Sequence, residues 1–294
     1  MSFIQYLISG ISLGSVYALI ALGYTMVYGI AKMLNFAHGD VIMVGGFTTY
    51  TICSTMGLHP VIGVVASVVV CTLLGITIEK IAYKPLRKAS SPLAVLITAI
   101  GVSYLLQNLA LLIFGANAKS FTSVVSMEPI KLADGQLSIT GETIVTIVCC
   151  IVIMVGLMLF INKTKAGQAM LAVSEDKGAA QLMGINVDAT IALTFAIGSA
   201  LAAIAGVLLC SAYPSLTPYT GSMPGIKAFV AAVFGGIGSI PGAFIGGILL
   251  GVIEILSKAY ISSQMSDAIV FAVLIIVLLV KPTGLLGKNI QEKV

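Results

Sequence analysis

Long apolar blocks interrupted by short polar clusters make up this chain. Residues 1–31, 41–78, 89–118, 189–226 and 228–253 contain no Asp, Glu, Lys or Arg, and 143–162 is a shorter block of the same kind. A helix needs about 20 apolar residues to cross about 30 Å of hydrocarbon. Most blocks therefore hold one span, and the longest hold a span plus a broken or re-entrant piece. The apolar runs are continuous, whereas a membrane β-barrel would alternate over short strands. The pattern predicts an all-α polytopic membrane protein, one transmembrane domain over 1–294 with eight or nine spans. They are expected at about 3–29, 36–56, 60–80, 93–114, 143–161, 190–211, 242–258 and 265–281, with a short or broken crossing at about 226–240.

Composition agrees with this reading. Of 294 residues, 59% are hydrophobic and 9% charged, and the mean hydropathy is +1.11; a soluble domain is about a quarter charged. No Lys or Arg precedes the first apolar stretch and no small-x-small cleavage site follows it, so that segment is expected to stay as a helix. Cys53, Cys71, Cys149, Cys150 and Cys210 lie inside apolar segments without metal-ligand spacing and read as small buried hydrophobes. The net charge of +4 contains no basic run of the kind that binds nucleic acid.

Basic residues set the expected orientation. Lys80, Lys84, Arg87 and Lys88 form one cluster, Lys163, Lys165 and Lys177 a second, and Lys281, Lys288 and Lys293 a third. The positive-inside rule places all three in the cytoplasm. The segment 115–142, polar and with a turn signal at Ala133, Asp134 and Gly135, then fits an extracytoplasmic loop. The N-terminus is expected outside and the C-terminus inside.

Glycine has two uses here. Gly10 and Gly14, Gly242 and Gly246, and Gly247 and Gly251 are Gly-x-x-x-Gly pairs, which let helices approach closely within one chain or between subunits. The run "GGIGSIPGAFIGG" should instead break a helix. Broken helices at membrane depth occur only against protein or a water-lined cavity, which makes Gly235, Gly236, Gly238 and Pro241 candidates for a translocation path or gate.

Two polar stretches stand out. "LNFAHGD" brings Asn35, His38, Gly39 and Asp40 to the start of the second span. Asn35 is expected to cap that helix and Gly39 to loosen it. A carboxylate in lipid is costly, so Asp40 should face the bundle or a wet cavity. The motif either lines the path or gate, or forms a polar knot in which His38 and Asp40 satisfy one another or backbone groups and fix the helix bend. Between spans five and six, 162–188 reads as a cytoplasmic segment containing a helix of about nine residues. Ser174 is its expected N-cap, with Glu175 and Asp176 at the positive end of the helix dipole. Ala179, Ala180, Leu182 and Met183 favour helix, and Gly184 stops it, followed by Ile185. So short a helix must dock, in a groove of another protein or on its own bundle.

Elsewhere, Glu254 and Lys258 have the spacing of a helical ion pair, favoured over a substrate contact. Lys227 is expected to snorkel to the outer surface, with help in receiving the binding protein or a carboxylate as the alternative. Glu79, Lys80 and Asp188 read as cytoplasmic boundary residues. The two histidines lack metal-ligand spacing and no Gly-x-Ser-x-Gly or Walker sequence occurs, so no catalytic or metal residue is assigned. On the residues alone, an ion-coupled secondary transporter or channel using His38 and Asp40 stays open.

"GAAQLMG" resembles the coupling-loop signature of ABC importer permeases, Glu-Ala-Ala, three residues, then Gly. Ala179, Ala180 and Gly184 match, and Gly178 stands in place of the glutamate. "GISLGSVYALIALGYTMVYGI", "LNFAHGD", "AVSEDKGAAQLMGIN", "KAFVAAVFGGIGSIPGAFIGGILLGVIE" and "KPTGLLG" follow in order. Together they resemble the shorter of the two permeases of high-affinity branched-chain amino acid ABC importers, from Gly10 to Gly287. The resemblance implies a transport subunit, not an enzyme, in a bacterial or archaeal cytoplasmic (inner) membrane. It implies Ser174, Glu175, Asp176, Ala179, Ala180, Leu182, Met183 and Gly184 as the ATPase-coupling residues. It also implies a second related permease, two cytoplasmic ABC ATPases that use ATP-Mg, and an extracytoplasmic amino-acid-binding protein, with no cofactor on this chain and membrane lipid around it.

Overall fold

α1 (Ser2–Ala31) is the axis of the structure. It is a computed structural model, and it describes residues 2–88, 92–132 and 137–287. α1 is followed by α2 (His38–Tyr50), α3 (Pro60–Ile78), α4 (Pro92–Phe114) and α5 (Gly141–Lys163), of which α5 packs directly on α1. Two short helices, α6 (Lys165–Glu175) and α7 (Lys177–Leu182), lead to α8 (Val187–Ala212), α9 (Ser222–Gly235), α10 (Ile240–Tyr260) and α11 (Ser266–Val280). α2 runs on into a π-helical turn, Thr51–Thr55, and α3 into another, Glu79–Tyr83.

Six of these helices are long and apolar enough to cross a membrane: α1, α3 with its extension, α4, α5, α8 and α10. α9 and α11 are apolar but shorter, and the expected weak crossing at 226–240 is α9, a helix of 14 residues. At 1.5 Å per residue it covers about 21 Å, less than the hydrocarbon thickness. Burial sorts the spans into layers. The most apolar windows of α1 and α8 are 67% and 72% buried within the chain, against 28% or less for α3, α4 and α5. α1 and α8 are the core, and the other three present apolar side chains outward.

The chain ends its helices with short polar devices. His59 Nδ1 accepts from the Val61 N–H ahead of Pro60, Thr140 caps α5, Asn186 caps α8 and Ser239 caps α10. Pro241 is the second residue of α10, where a missing N–H costs nothing; it begins that helix and does not interrupt one.

The Gly-x-x-x-Gly pairs pack within the chain. A Cβ on Gly251 would collide with the backbone of Gly14 and come within 2.7 Å of the Gly10 carbonyl; one on Gly247 would strike Ala18. Gly242 and Gly246 face Gly235 and Ala231 of α9 in the same way. The glycines set the separation of α1, α9 and α10.

Contacts sort the loops to two ends. Gln5 donates to the Ser138 carbonyl at 2.7 Å, Tyr6 packs on Tyr260, and strands β1 (Lys119–Ser120) and β4 (Ser215–Leu216) pair, with β2 (Ile130–Leu132) and β3 (Leu137–Ile139) forming a hairpin beside them. At the opposite end Lys84 and Arg87 meet Asp188 at 2.8 and 2.6 Å, and Arg87 also pairs with buried Glu79. The first two basic clusters therefore share an end. The tail returns there too: the Leu285 and Leu286 N–H groups donate to the Phe234 and Gly235 carbonyls, both at 2.9 Å. The expected turn at Ala133, Asp134 and Gly135, with Lys288 and Lys293, lies outside the described residues.

One expectation fails here. Lys227 does not reach the surface. Its ammonium is buried between Glu254 at 2.8 Å and Asp267 at 2.7 Å. Glu254 also pairs with Lys258 at 2.6 Å, as its spacing predicts, and accepts from the Tyr17 hydroxyl at 2.8 Å. Two carboxylates within reach hold the lysine inside more strongly than water draws it out.

Candidate functional site

The start of α2 carries the first half of the site. Residues 32–37 are irregular, and Lys32 has φ 57°, which ends α1 sharply. Gly39 then lies against the start of α9. A Cβ there would come within 2.7 Å of the Gly221 carbonyl and 3.4 Å of Gly225 Cα. This close approach brings α9 beside Asp40.

Between α2, α4 and α9 lies a cavity of about 300 Å³, reached by Asp40, Ser103, Gln107 and Ser222 among its polar groups. Asp40 is buried, and Gln107 Nε2 donates to its Oδ1 at 2.9 Å. The same amide nitrogen lies 3.3 Å from the hydroxyls of Ser103 and Ser222. Phe36, Ile100, Tyr104 and Ile226 supply apolar wall. A second, narrower crevice opens toward the α1–α2 joint, lined by Tyr28, Met33, Leu34, Asn35, Ala232 and Ile237. Tyr24 lines both spaces. Phe229, on the crevice, packs against Tyr24 and against Phe36 of the cavity, each at 5.7 Å between ring centroids. These three rings thus connect the walls of the two spaces.

The predicted path residues divide accordingly. Gly39 and Asp40 are in the cavity. Asn35 is in the crevice, and it does not cap α2: its Oδ1 accepts from the Tyr83 hydroxyl at 3.0 Å, while the cap position falls to Ala37 without a side-chain bond. The π-turn after α3 delivers Tyr83 there, and its ring packs on Phe195. His38 does not reach Asp40, so the two do not satisfy one another; His38 instead hydrogen-bonds the backbone of Ile20, the other form of the polar knot. Its ring packs edge-on to Tyr24 at 4.6 Å, with Nε2 unbonded next to Gly23. Gly235, Gly236, Gly238 and Pro241 make the turn between α9 and α10, where Gly236 and Gly238 have φ 106° and 93°. They line neither space, though Ile237 between them does reach the crevice.

The coupling segment also differs from expectation. Ser174 is not an N-cap. α6 runs through it to Glu175, because Met170 and Val173 bury one face of a helix capped by Thr164, and the Ser174 hydroxyl donates back to Leu171. The cap of the next helix is Asp176, whose Oδ1 accepts from the N–H groups of Gly178 and Ala179 at 2.7 and 2.9 Å. α7 has six residues where about nine were expected. Gly184, at φ 81°, closes it with both bonds of a Schellman motif: its own N–H to Gln181 and the Ile185 N–H to Ala180, each 3.0 Å. Ala180 faces the bundle; Ala179, Leu182 and Met183 face away, the last two 90% and 82% exposed.

Sequence reasoning missed Lys177. Its Nζ donates to the Ala31 carbonyl at 3.0 Å, tying the start of α7 to the end of α1. Burial first, then the nearby charges of Arg87 and Lys32, hold its pKa below the usual lysine value. It missed Gln107 too, because nothing local marks a glutamine in an apolar helix as the partner of a carboxylate 67 positions away.

Comparison with known proteins follows the same outline. Residues 6–278 match the family model described as branched-chain amino acid transport system, permease component. The high-affinity branched-chain amino acid transport system permease proteins LivH of Salmonella typhimurium and Escherichia coli K12 are each 45% identical to it, over 99% of this chain and 98% of theirs. BraD of Pseudomonas aeruginosa, of the same description, is 44% identical over the same shares. A chain of PsaBC from Streptococcus pneumoniae in complex with Fab superposes with a TM-score of 0.49 at 16% identity, over 96% of this chain and 93% of that one, too remote to carry an argument.

Proposed function

The chain belongs to the family of branched-chain amino acid transport system permeases, and from that premise we propose that it is the membrane-spanning subunit of an ABC importer for branched-chain or similar aliphatic amino acids. A second related permease would complete the pathway, two cytoplasmic ATPases would drive it, and an extracytoplasmic binding protein would deliver substrate. The end carrying Lys84, Arg87 and α7 would face the cytoplasm by the positive-inside rule; the end carrying 115–132 and the N-terminus of α1 would face outward.

One observation carries the mechanism. α7 is fixed at both ends, by Asp176 and by Gly184, yet presents Leu182 and Met183 with no partner surface among the described residues. Exposed apolar side chains on a polar, non-spanning helix mark a docking site. Closure of the ATPase dimer would move α7; Lys177 would pass the displacement to the end of α1, and the joint at Lys32 would shift the start of α2 against α9. The importer then alternates between two states that bind the binding protein and ATP differently. An ion-coupled transporter gives no use to a helix built this way.

The direct test is Leu182→Asp with Met183→Asp. Neither side chain is packed, so the permease should reach the membrane in normal amount. Loss of a hot-spot pair costs about 2 kcal/mol or more, so retention of the ATPase on the tagged permease should fall by about thirtyfold, and uptake with it. Unchanged co-purification would remove α7 from the interface.

A further inference from the structure

We infer that the cavity between α2, α4 and α9 is a binding subsite for the ammonium group of an aliphatic α-amino acid, with Asp40 as its counter-charge. The inference rests on the importer reading and adds to it the place where substrate is held.

Among the described residues, Asp40 is the one charged side chain on the cavity wall, and none of the ion pairs involves it. Every other strongly buried carboxylate among the described residues pairs with a cation: Glu79 with Arg87, Glu254 with Lys227 and Lys258. Asp40 instead has neutral donors, the Gln107 amide at 2.9 Å and the Ser103 hydroxyl beside it. A carboxylate offers about four acceptor positions, so these leave room for an incoming N–H donor. A charge at membrane depth without a cation marks a pathway or a ligand site.

The shape selects the ligand class. A volume of about 300 Å³ is at the lower end for ligand pockets, about 300–1,000 Å³, and suits one amino acid. Ile100, Ile226 and Phe36 offer apolar surface to a branched side chain. A bare metal cation fits less well. Hard cations need several oxygen ligands, whereas the amide turns its donor inward, and no group of three acidic, His or Cys side chains occurs among the described residues. Gln107, bonded to groups on α2 and α9 from its place on α4, is the positioning residue for the carboxylate.

The test is protection of a cysteine placed on the cavity wall, Ile226→Cys, in the purified complete importer without its binding protein. Alkylation by a small maleimide is followed after subtracting the native cysteines. The probes are leucine, 3-methylbutylamine, which keeps the ammonium, and 4-methylpentanoate, which lacks it. At about ten times their Kd, leucine and the amine should slow labelling about tenfold, and 4-methylpentanoate should leave it unchanged. Adding Asp40→Asn should abolish protection by leucine. Equal protection by 4-methylpentanoate, protection that survives Asp40→Asn, or none at all overturns the subsite. If the doubly substituted complex does not assemble, the three-ligand comparison in the single variant decides alone. Leucine uptake by the unsubstituted importer is scored separately: uptake without protection sinks only the subsite, and absence of uptake sinks the importer reading.

Discussion

Replacing Glu254 with alanine is expected to destabilise the chain by about 3–5 kcal/mol, the cost of removing one partner from a buried ion pair. Glu254 is 1% exposed and is shared by Lys227, Lys258 and the Tyr17 hydroxyl, so it joins α1, α9 and α10, with Asp267 bringing in α11 through Lys227. Without it, Tyr17 loses its acceptor and Lys227 keeps one carboxylate in place of two. Glu254→Gln should cost less, about 1–3 kcal/mol, since an acceptor of the same shape remains. Lys84→Ala gives the contrast. The Lys84–Asp188 pair is about half exposed on both sides, although at 2.8 Å it is as short as Lys227–Glu254, and an exposed pair contributes about 1 kcal/mol at most. Melting of the detergent-solubilised protein, followed by size-exclusion chromatography, should rank the variants Lys84→Ala, Glu254→Gln, Glu254→Ala in falling stability. If Glu254→Ala melts with Lys84→Ala, the network does not hold these helices.

Gly251→Leu is the second large effect. Its side chain would have to occupy the backbone of α1 at Gly14 and the space before the Gly10 carbonyl. Backbone cannot change rotamer to yield, so α1 and α10 must separate along their shared length. Overpacking costs up to about 3 kcal/mol and more where backbone is displaced, enough to leave little folded protein. Gly156→Leu is the matched control. A Cβ at Gly156 meets nothing within 4 Å in this chain, so its yield and melting should stay near the parent's. Comparable loss in both variants would mean that added bulk as such, and not the α1–α10 approach, is what the fold rejects.

What the sequence made legible is what depends on neighbours. Apolar block lengths located the six long spans to within a few residues, although the spans expected at 36–56, 226–240 and 265–281 are α-helices of only 13, 14 and 15 residues. Four-residue glycine spacing identified the close helix approaches, since it follows from helix geometry alone. Gly184 announced the end of α7 because a left-handed residue there favours glycine. Asp40 was recognised as facing the interior on the cost of charge in lipid. The misreadings are long-range or competitive. Lys227 has partners 27 and 40 positions away on two later helices, and no local pattern distinguishes such a lysine from one that snorkels. Ser174 resembled a cap, but Met170 and Val173 gain more by extending α6 through it. Asn35 had the chemistry of a cap too, and Tyr83, 48 positions on, claimed its side chain. The cavity itself needed α2, α4 and α9 together before Gln107 had any meaning.

The central claim is that this chain moves aliphatic amino acids only as part of an ATP-driven complex. The measurement that bears on it most directly is uptake of radiolabelled leucine into proteoliposomes holding this chain with its second permease and two ATPases. Binding protein, vesicle ATP and ion gradients are each supplied or withheld. Uptake that requires ATP and binding protein together, and that persists when ionophores collapse the proton and sodium gradients, is the predicted result. Uptake by this chain alone, driven by either gradient and indifferent to ATP, would contradict the account and make Asp40 the site of an ion-coupled carrier.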